Sequence, residues 1–174
     1  TFDSSKYSTL QTVTVTGVDD FYDDDNVSYT ITVDPSSSIA SYNTMTSSTV
    51  TGSNIDNDTA AIAVGAKSGN TSEFGTTATI NVTLATIPTA NVSIVVTDND
   101  STEVSITPTT LTITPSTWNT TNQVTLTGQD DSDNDGNITY RISFDNATST
   151  DSKYNGMVPS SAYVDVINVD DYAD

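Results

Sequence analysis

An internal repeat constrains the fold of this chain more than any other feature. The 33 residues that begin at Thr1 align without gaps on the 33 that begin at Thr112, and 13 of these pairs are identical. Self-similarity at a fixed spacing is typical of proteins assembled from copies of one domain. The spacing of 111 residues suits an immunoglobulin-like β-sandwich. After short insertions the alignment resumes with Tyr42-Asn43 on Tyr154-Asn155 and Asn54-Ile55-Asp56 on Asn168-Val169-Asp170.

The repeat predicts two domains of unequal completeness. Residues 59–174 contain every part of the repeating unit, whereas residues 1–58 align only with its second half. A half-sandwich exposes unpaired strand edges and half of a hydrophobic core, and should not be stable alone. We therefore expect either that the chain is an excerpt of a longer array or that another molecule supplies the missing strands.

Alternating apolar and polar residues predict strands throughout both domains. Val124 and Leu126, for example, would face one way while the threonines between them face the other. Strands with one buried face indicate an all-β, Ig-like antiparallel sandwich, in which Tyr7 and Trp118 would each close one end of a core. The predicted strands are residues 11–16, 27–33 and 48–53 in the first domain, and 61–66, 77–86, 90–97, 103–107, 110–114, 123–127, 137–144 and 163–168 in the second.

The charge balance restricts the partners. Four Lys and Arg residues face 23 Asp and Glu residues, a formal net charge of −19. Nucleic acid and anionic membrane surfaces are poor partners, because little is present to neutralise phosphate. The sequence has no cysteine or histidine, so structural zinc sites and histidine-based catalytic triads are excluded too. No stretch of about 18 apolar residues predicts membrane insertion. Cations are the expected counterpart.

Aspartates crowd into one loop of each repeat. The loop GQDDSDNDGNITY begins at Gly128, and its counterpart GVDDFYDDDNVSY begins at Gly17. Calcium accepts about six to eight oxygen ligands in irregular loops and would relieve the repulsion. An EF-hand is excluded, because its closing glutamate is absent and the flanks are predicted strands. The alternative is a solvated acidic loop. The candidate ligands here are Asp130, Asp131, Asp133 and Asp135, with Asp19, Asp20 and Asp24 in the first repeat.

Further acidic residues follow predicted strand ends. Strand ends and alternate loops gather at one pole of a sandwich, so these acids could share ions with the long loop and stiffen the joint between repeats. A polar linker without metal is the alternative. These residues are Asp98 and Asp100 within the second domain, and Asp56, Asp58, Asp170 and Asp171 at the repeat junctions. Glu73 could share the same ions.

Two segments carry a family resemblance. LTITPSTWNTTNQVTLTGQDDSDNDG resembles the second half of Calx-β repeats, and SGNTSEFGTTATINVTL resembles their opening hairpin. The chain is also similar to tandem repeats of large bacterial surface proteins. The resemblance implies a sandwich with calcium at one pole, although Asp133, Asp135 and Gly136 stand where that family has later glutamates. Its implied ligands are Glu73, Asp130, Asp131, Asp170 and Asp171, and by repeat Asp19, Asp20 and Asp56.

These features predict a non-catalytic, calcium-binding repeat of an extracellular or cell-surface protein, serving as a stalk, an adhesin or a filament segment. Its partners would be neighbouring repeats, identical subunits, or cell-surface glycans or proteins. One alternative is a filament subunit polymerised by strand complementation. Another is a carbohydrate-binding module that uses Phe21 and Tyr22. Nine sequons leave glycosylation open: Asn26, Asn57, Asn70, Asn81, Asn91, Asn99, Asn119, Asn137 and Asn146.

Overall fold

A computed structural model describes residues 1–131 and 134–170 of the chain. Two compact units are present. The first unit comprises Thr1–Asp20 and Asp24–Asp56, and the second comprises Phe21–Asp23 and the described residues from Asn57 onward. Three residues of the first acidic loop, Phe21–Asp23, thus group with the second unit.

The described residues form eleven strands and one short helix. Among the described residues, no helix is long and apolar enough to span a membrane. In chain order they are β1 (Val27–Val33), α1 (Ala40–Asn43), β2 (Ser48–Asn54), β3 (Ile62–Val64), β4 (Thr71–Ser72), β5 (Thr77–Leu84), β6 (Val92–Asp98), β7 (Val104–Thr107), β8 (Thr110–Ile113), β9 (Asn122–Gly128), β10 (Ile138–Phe144) and β11 (Tyr163–Val169).

The second unit is an all-β sandwich, as the alternating pattern predicts. One sheet has the order β4-β11-β10-β6-β8 and the other the order β3-β5-β9-β7. All neighbours are antiparallel except the short pair β4 and β11. In β5, Ala78, Ile80, Val82 and Leu84 are buried while the residues between them are not. Alternate side chains from both sheets thus meet in one core.

The first unit is a two-stranded hairpin. Strands β1 and β2 pair in antiparallel register from Val27 opposite Asn54 to Val33 opposite Ser48. All residues of this unit are described, and none of them is buried. An isolated two-stranded hairpin is marginally stable in water, because it buries little apolar surface.

The strand predicted at residues 11–16 is absent, although the matching segment of the second unit is β9. In the second unit β9 pairs with β5 on one side and with β7 on the other. Both neighbours come from the half of the repeat that has no counterpart in the first unit. The segment therefore has the composition of a strand without the backbone partners that would make it one.

Tyr7 and Trp118 were each predicted to close one end of a core, and the structure places them differently. Tyr7 does not close a core, since its side chain is 78% exposed. The reason is again that the first unit has no second sheet to enclose one. Trp118, its counterpart, is half-buried and packs against the core of the second unit. The sequence also missed β4 and α1, which are too short to produce a periodic pattern.

Candidate cation-binding pole

Four chain segments of the second unit meet at one end of its sandwich. The backbone N–H of Glu73, just after β4, donates to the carbonyl of Val169 at the end of β11 at 3.1 Å. The N–H of Gln129, just after β9, donates to the carbonyl of Glu103 at 3.0 Å. The backbone at Gln129 and the backbone at Glu103 therefore lie side by side. We call this region the acidic pole and define it by Glu73, Asp100, Glu103, Asp131, Asp135 and Asp170.

Three carboxylates of the acidic pole are buried, those of Glu73, Glu103 and Asp170, and Glu103 is the least exposed of them. Its side chain is only 4% exposed, and its Oε2 accepts a hydrogen bond from Asn168 Nδ2 at 3.1 Å. Burial raises the pKa of the Glu103 carboxyl, and the hydrogen bond from Asn168 opposes that effect. The negative charges of Asp100, Asp135 and Asp131 raise this pKa further. Glu103 therefore lies within electrostatic reach of three aspartates from two loops.

The sequence analysis did not include Glu103 among the candidate ligands. It is the first residue of the predicted strand 103–107 and lies outside the aspartate-rich loops from which the candidate ligands came. A usable signal was nonetheless present, because Glu103 is one of two glutamates in the chain and directly precedes a run of alternating apolar residues. A carboxylate at a strand end is well placed to point toward a pole.

Asn168 and Gly128 bring further oxygen atoms together. Asn168 is buried, and its Nδ2 also donates to the carbonyl of Gln129 at 3.1 Å. Its Oδ1 accepts no hydrogen bond within the part of the chain that the structure describes. A Cβ on Gly128 would overlap both this Oδ1 and the carbonyl oxygen of Ser72. Only glycine therefore allows these two oxygens to approach the backbone of β9 so closely.

Asp170 attaches the acidic loop to the end of β11. Its Oδ2 accepts a hydrogen bond from the N–H of Gly136 at 2.9 Å, and its own N–H donates to Asn137 Oδ1 at 3.2 Å. Gly136 has a φ of +77°, a conformation that glycine adopts without strain. This arrangement is a structural cap and does not by itself require a metal ion.

The same cap recurs in the first unit. Asp56 Oδ2 accepts hydrogen bonds from the N–H groups of Asp24 at 3.0 Å and Asp25 at 2.9 Å. The N–H of Asp56 donates to Asn26 Oδ1 at 2.9 Å. Asp25 occupies the position of Gly136 and also has a positive φ, of 65°. The repeat is thus a repeat of local geometry as well as of sequence.

The remaining candidate residues are distributed as follows. Asp130 is exposed in the loop after β9. Asp98 ends β6, where it pairs with Ile142. Asp58 precedes β3, which pairs with the far end of β5, so the fold does not bring it to the acidic pole. Asp19, Asp20, Asp24 and Asp56 belong to the first unit. Asp133 and Asp171 lie outside the described residues.

The described acidic side chains form no group of three or more that is already arranged to hold a metal ion. Calcium binding therefore stays a prediction. The cations of the second unit are engaged at other positions. Arg141 pairs with Asp165 at 2.8 Å, Lys153 pairs with Asp23 at 2.6 Å, and Lys67 Nζ donates to Asn70 at 2.8 Å.

Residues Phe21–Asp23 of the first acidic loop pack at the opposite end of the second unit. The Phe21 ring lies 5.7 Å from the Trp118 ring, centroid to centroid, and the planes are tilted by 41°. Asp23 Oδ2 accepts a hydrogen bond from the N–H of Ala60 at 2.8 Å. The hydrogen bond from Lys153, followed by that from Ala60, lowers the pKa of Asp23. Phe21, considered above for a carbohydrate platform, contacts Trp118 and is 58% exposed.

No protein-family model matches this chain, and no curated protein matches it. Its function is therefore inferred from its own residues.

Proposed function

We propose that this chain is a calcium-binding structural repeat of an extracellular protein, acting as part of a stalk, an adhesin or a filament. The observation that carries the proposal is the acidic pole. There a buried carboxylate, Glu103, lies among aspartates while the lysines and arginine of the same unit are engaged with other residues. Buried charge without a counterion is costly, so a cation from solvent would stabilise this arrangement.

The donor set suits calcium. Glu103, Asp100, Asp131 and Asp135 offer carboxylate oxygens, and Asn168 Oδ1 is a buried amide oxygen that accepts no hydrogen bond among the described residues. Calcium prefers oxygen ligands and tolerates irregular loops, whereas magnesium requires a nearly ideal octahedron. The ion would supply positive charge among the carboxylates of Asp100, Glu103, Asp131 and Asp135, which would hold their segments together.

A structural role fits this chemistry better than a catalytic one. The acidic loop and its aspartate cap occur in both units, as expected of a device that stabilises each copy of a repeat. Extracellular repeats commonly bind calcium with an affinity near its millimolar concentration outside cells. The resemblance to Calx-β repeats supports the same role. A calcium-dependent stiffness would serve a protein that extends from a surface.

Thermal unfolding in calcium and in a chelator tests the proposal. An ion present at 100 times its dissociation constant stabilises the folded state by about 2.7 kcal/mol. At about 4 °C per kcal/mol for a domain of this size, the melting temperature should rise by about 11 °C. Fluorescence of Trp118, the only tryptophan, reports on the second unit. Identical melting curves in calcium, magnesium and EDTA would show that no ion binds and would refute the proposal.

A further inference from the structure

The exposed apolar residues of the first unit occupy the positions of core residues in the second. Tyr29 is 39% exposed, whereas its counterpart Tyr140 is fully buried. Val13 is 77% exposed, whereas its counterpart Val124 is fully buried. The same contrast holds for Phe2 with Ile113, Val15 with Leu126, Val33 with Phe144, and Tyr42 with Tyr154.

The local structure that supports this face is already formed. Asn54 Nδ2 donates to the carbonyl of Val18 at 3.4 Å, as Asn168 Nδ2 donates to the carbonyl of Gln129 at 3.1 Å. The N–H of Ser37 donates to Asn43 Oδ1 at 3.2 Å, as the N–H of Ser149 donates to Asn155 Oδ1 at 3.3 Å. These matched hydrogen bonds and the aspartate cap are therefore present in the first unit, although the face that corresponds to the core is exposed.

We infer that the open face of the first unit binds one kind of partner, a polypeptide segment with the strand set of residues 59–111. That segment covers the equivalent face in the second unit, where it supplies β3 to β7. The second unit therefore already contains the contact between residues 59–111 and the strands that follow them. The first unit repeats only those following strands. This inference does not depend on calcium binding.

The size of the open face suits a stable interface. The six exposed side chains compared above would bury on the order of 600 Å² against such a segment, given ordinary side-chain areas. The backbone of residues 11–16, which would pair on both edges, adds to this. Specific protein interfaces bury roughly 800 Å² on each partner. A face of this size and apolar character is a binding surface by ordinary criteria.

Individual contacts define what the partner must provide. Tyr140 Oη and Thr71 Oγ1 are 3.0 Å apart in the buried core, so the hydroxyl of Tyr29 requires a threonine in the position of Thr71. Asn168 Nδ2 donates to Glu103, so Asn54 requires a glutamate in the position of Glu103. Residues 11–16 require strands equivalent to β5 and β7 on their two sides. A segment of unrelated sequence would not meet these requirements together.

The test appends a second copy of residues 59–111 directly before Thr1 of the full chain. This junction reproduces the native connection, because Thr1 aligns with Thr112. Hydrogen exchange followed by mass spectrometry should show the amides of residues 11–16 slowed by at least about tenfold relative to the unextended chain. The matched control carries Ile80→Asp and Val82→Asp in the appended copy only, and should show no slowing.

A cysteine pair provides a second measurement. Ser143 lies opposite Thr97 in the second unit, so Thr32→Cys should form a disulfide with Thr97→Cys in the appended copy. The control places the second cysteine at Ser93, four residues away on the same strand. Ser93→Cys in the appended copy should not form a disulfide with Thr32→Cys. The natural chain has no cysteine to interfere.

Three results would overturn the inference. In the first, the amides of residues 11–16 exchange as fast in the extended chain as in its control. In the second, the extended chain loses solubility while its control does not. In the third, the unextended chain sediments as a dimer in which residues 11–16 are already protected, which would assign the face to a second copy of this chain.

Discussion

Replacing Glu103 by glutamine should change the stability of the second unit in opposite directions with and without calcium. The substitution removes a buried negative charge and keeps a side-chain oxygen that can accept the hydrogen bond from Asn168. Burial and the nearby aspartates raise the pKa of Glu103, so its ionised form destabilises the folded state at neutral pH. In EDTA, Glu103→Gln should therefore melt at a higher temperature than the natural protein.

In calcium the order should reverse. The natural protein gains about 2.7 kcal/mol, or about 11 °C, when calcium is present at 100 times its dissociation constant. If losing one carboxylate ligand weakens binding 100-fold, the same calcium concentration equals the new dissociation constant and contributes only about 0.4 kcal/mol, or about 2 °C. Differential scanning calorimetry in EDTA and in calcium measures all four melting temperatures, and titration calorimetry measures the loss of affinity.

Asp151→Asn is the matched control, since Asp151 is the buried carboxylate at the other end of the second unit. Its oxygens accept hydrogen bonds from the N–H groups of Thr89 at 2.7 Å and Lys153 at 2.9 Å. Weakening such bonds costs up to about 1.5–3 kcal/mol each, so Asp151→Asn should melt lower in both buffers while its calcium-dependent shift stays intact. The reasoning is refuted if Glu103→Gln melts lower in EDTA, or if it keeps the full shift in calcium.

Three further predictions use the repeat or the acidic pole. Tyr140→Phe should lower the free energy of unfolding by about 0.5–1.5 kcal/mol through loss of a buried hydrogen bond, and Tyr29→Phe should leave it unchanged. Val124→Ala should cost about 1–3 kcal/mol, whereas Val13→Ala should cost less than about 0.5 kcal/mol. Denaturant titration followed by circular dichroism checks both pairs, and equal effects within a pair would contradict the assigned burial. The pKa of Glu103 in the folded protein lies above its ordinary value of 4.5, so the carboxyl becomes neutral as pH falls. In EDTA, the melting temperature of Glu103→Gln should therefore exceed that of the natural protein by less and less as pH falls, and by nothing below pH 4.5. Melting curves across pH measure this difference.

Local pattern was enough to find most of the strands. The prediction for residues 27–33 matches β1 at both ends, and that for residues 163–168 misses β11 by one residue. In both segments a period of two places apolar side chains on one face, which only an extended backbone can do. Residues 11–16 have the same pattern without a strand, because the hydrogen bonds of a strand come from its neighbours and not from its own sequence.

The acidic pole was only partly predictable for a related reason. Sequence located Asp131 and Asp135 in a loop and named Glu73 as a candidate ligand, but it could not show that Glu103 is buried near the two aspartates. Asn168 and Glu103 are 65 positions apart and hydrogen-bonded. Their contact depends on β11 ending, and β7 beginning, at the same pole of two facing sheets, which no local pattern encodes.

The sequence by itself determined the repeat, the all-β class, the inward face of each strand and the loops that carry the acidic residues. These properties follow from the chemistry of each residue and from the twofold periodicity of a strand. The tertiary structure decided which acids lie together, which carboxylates are buried, and which copy of the repeated core residues is exposed. These properties depend on non-local strand pairing, so two segments with nearly the same pattern become a central strand in one unit and an exposed segment in the other.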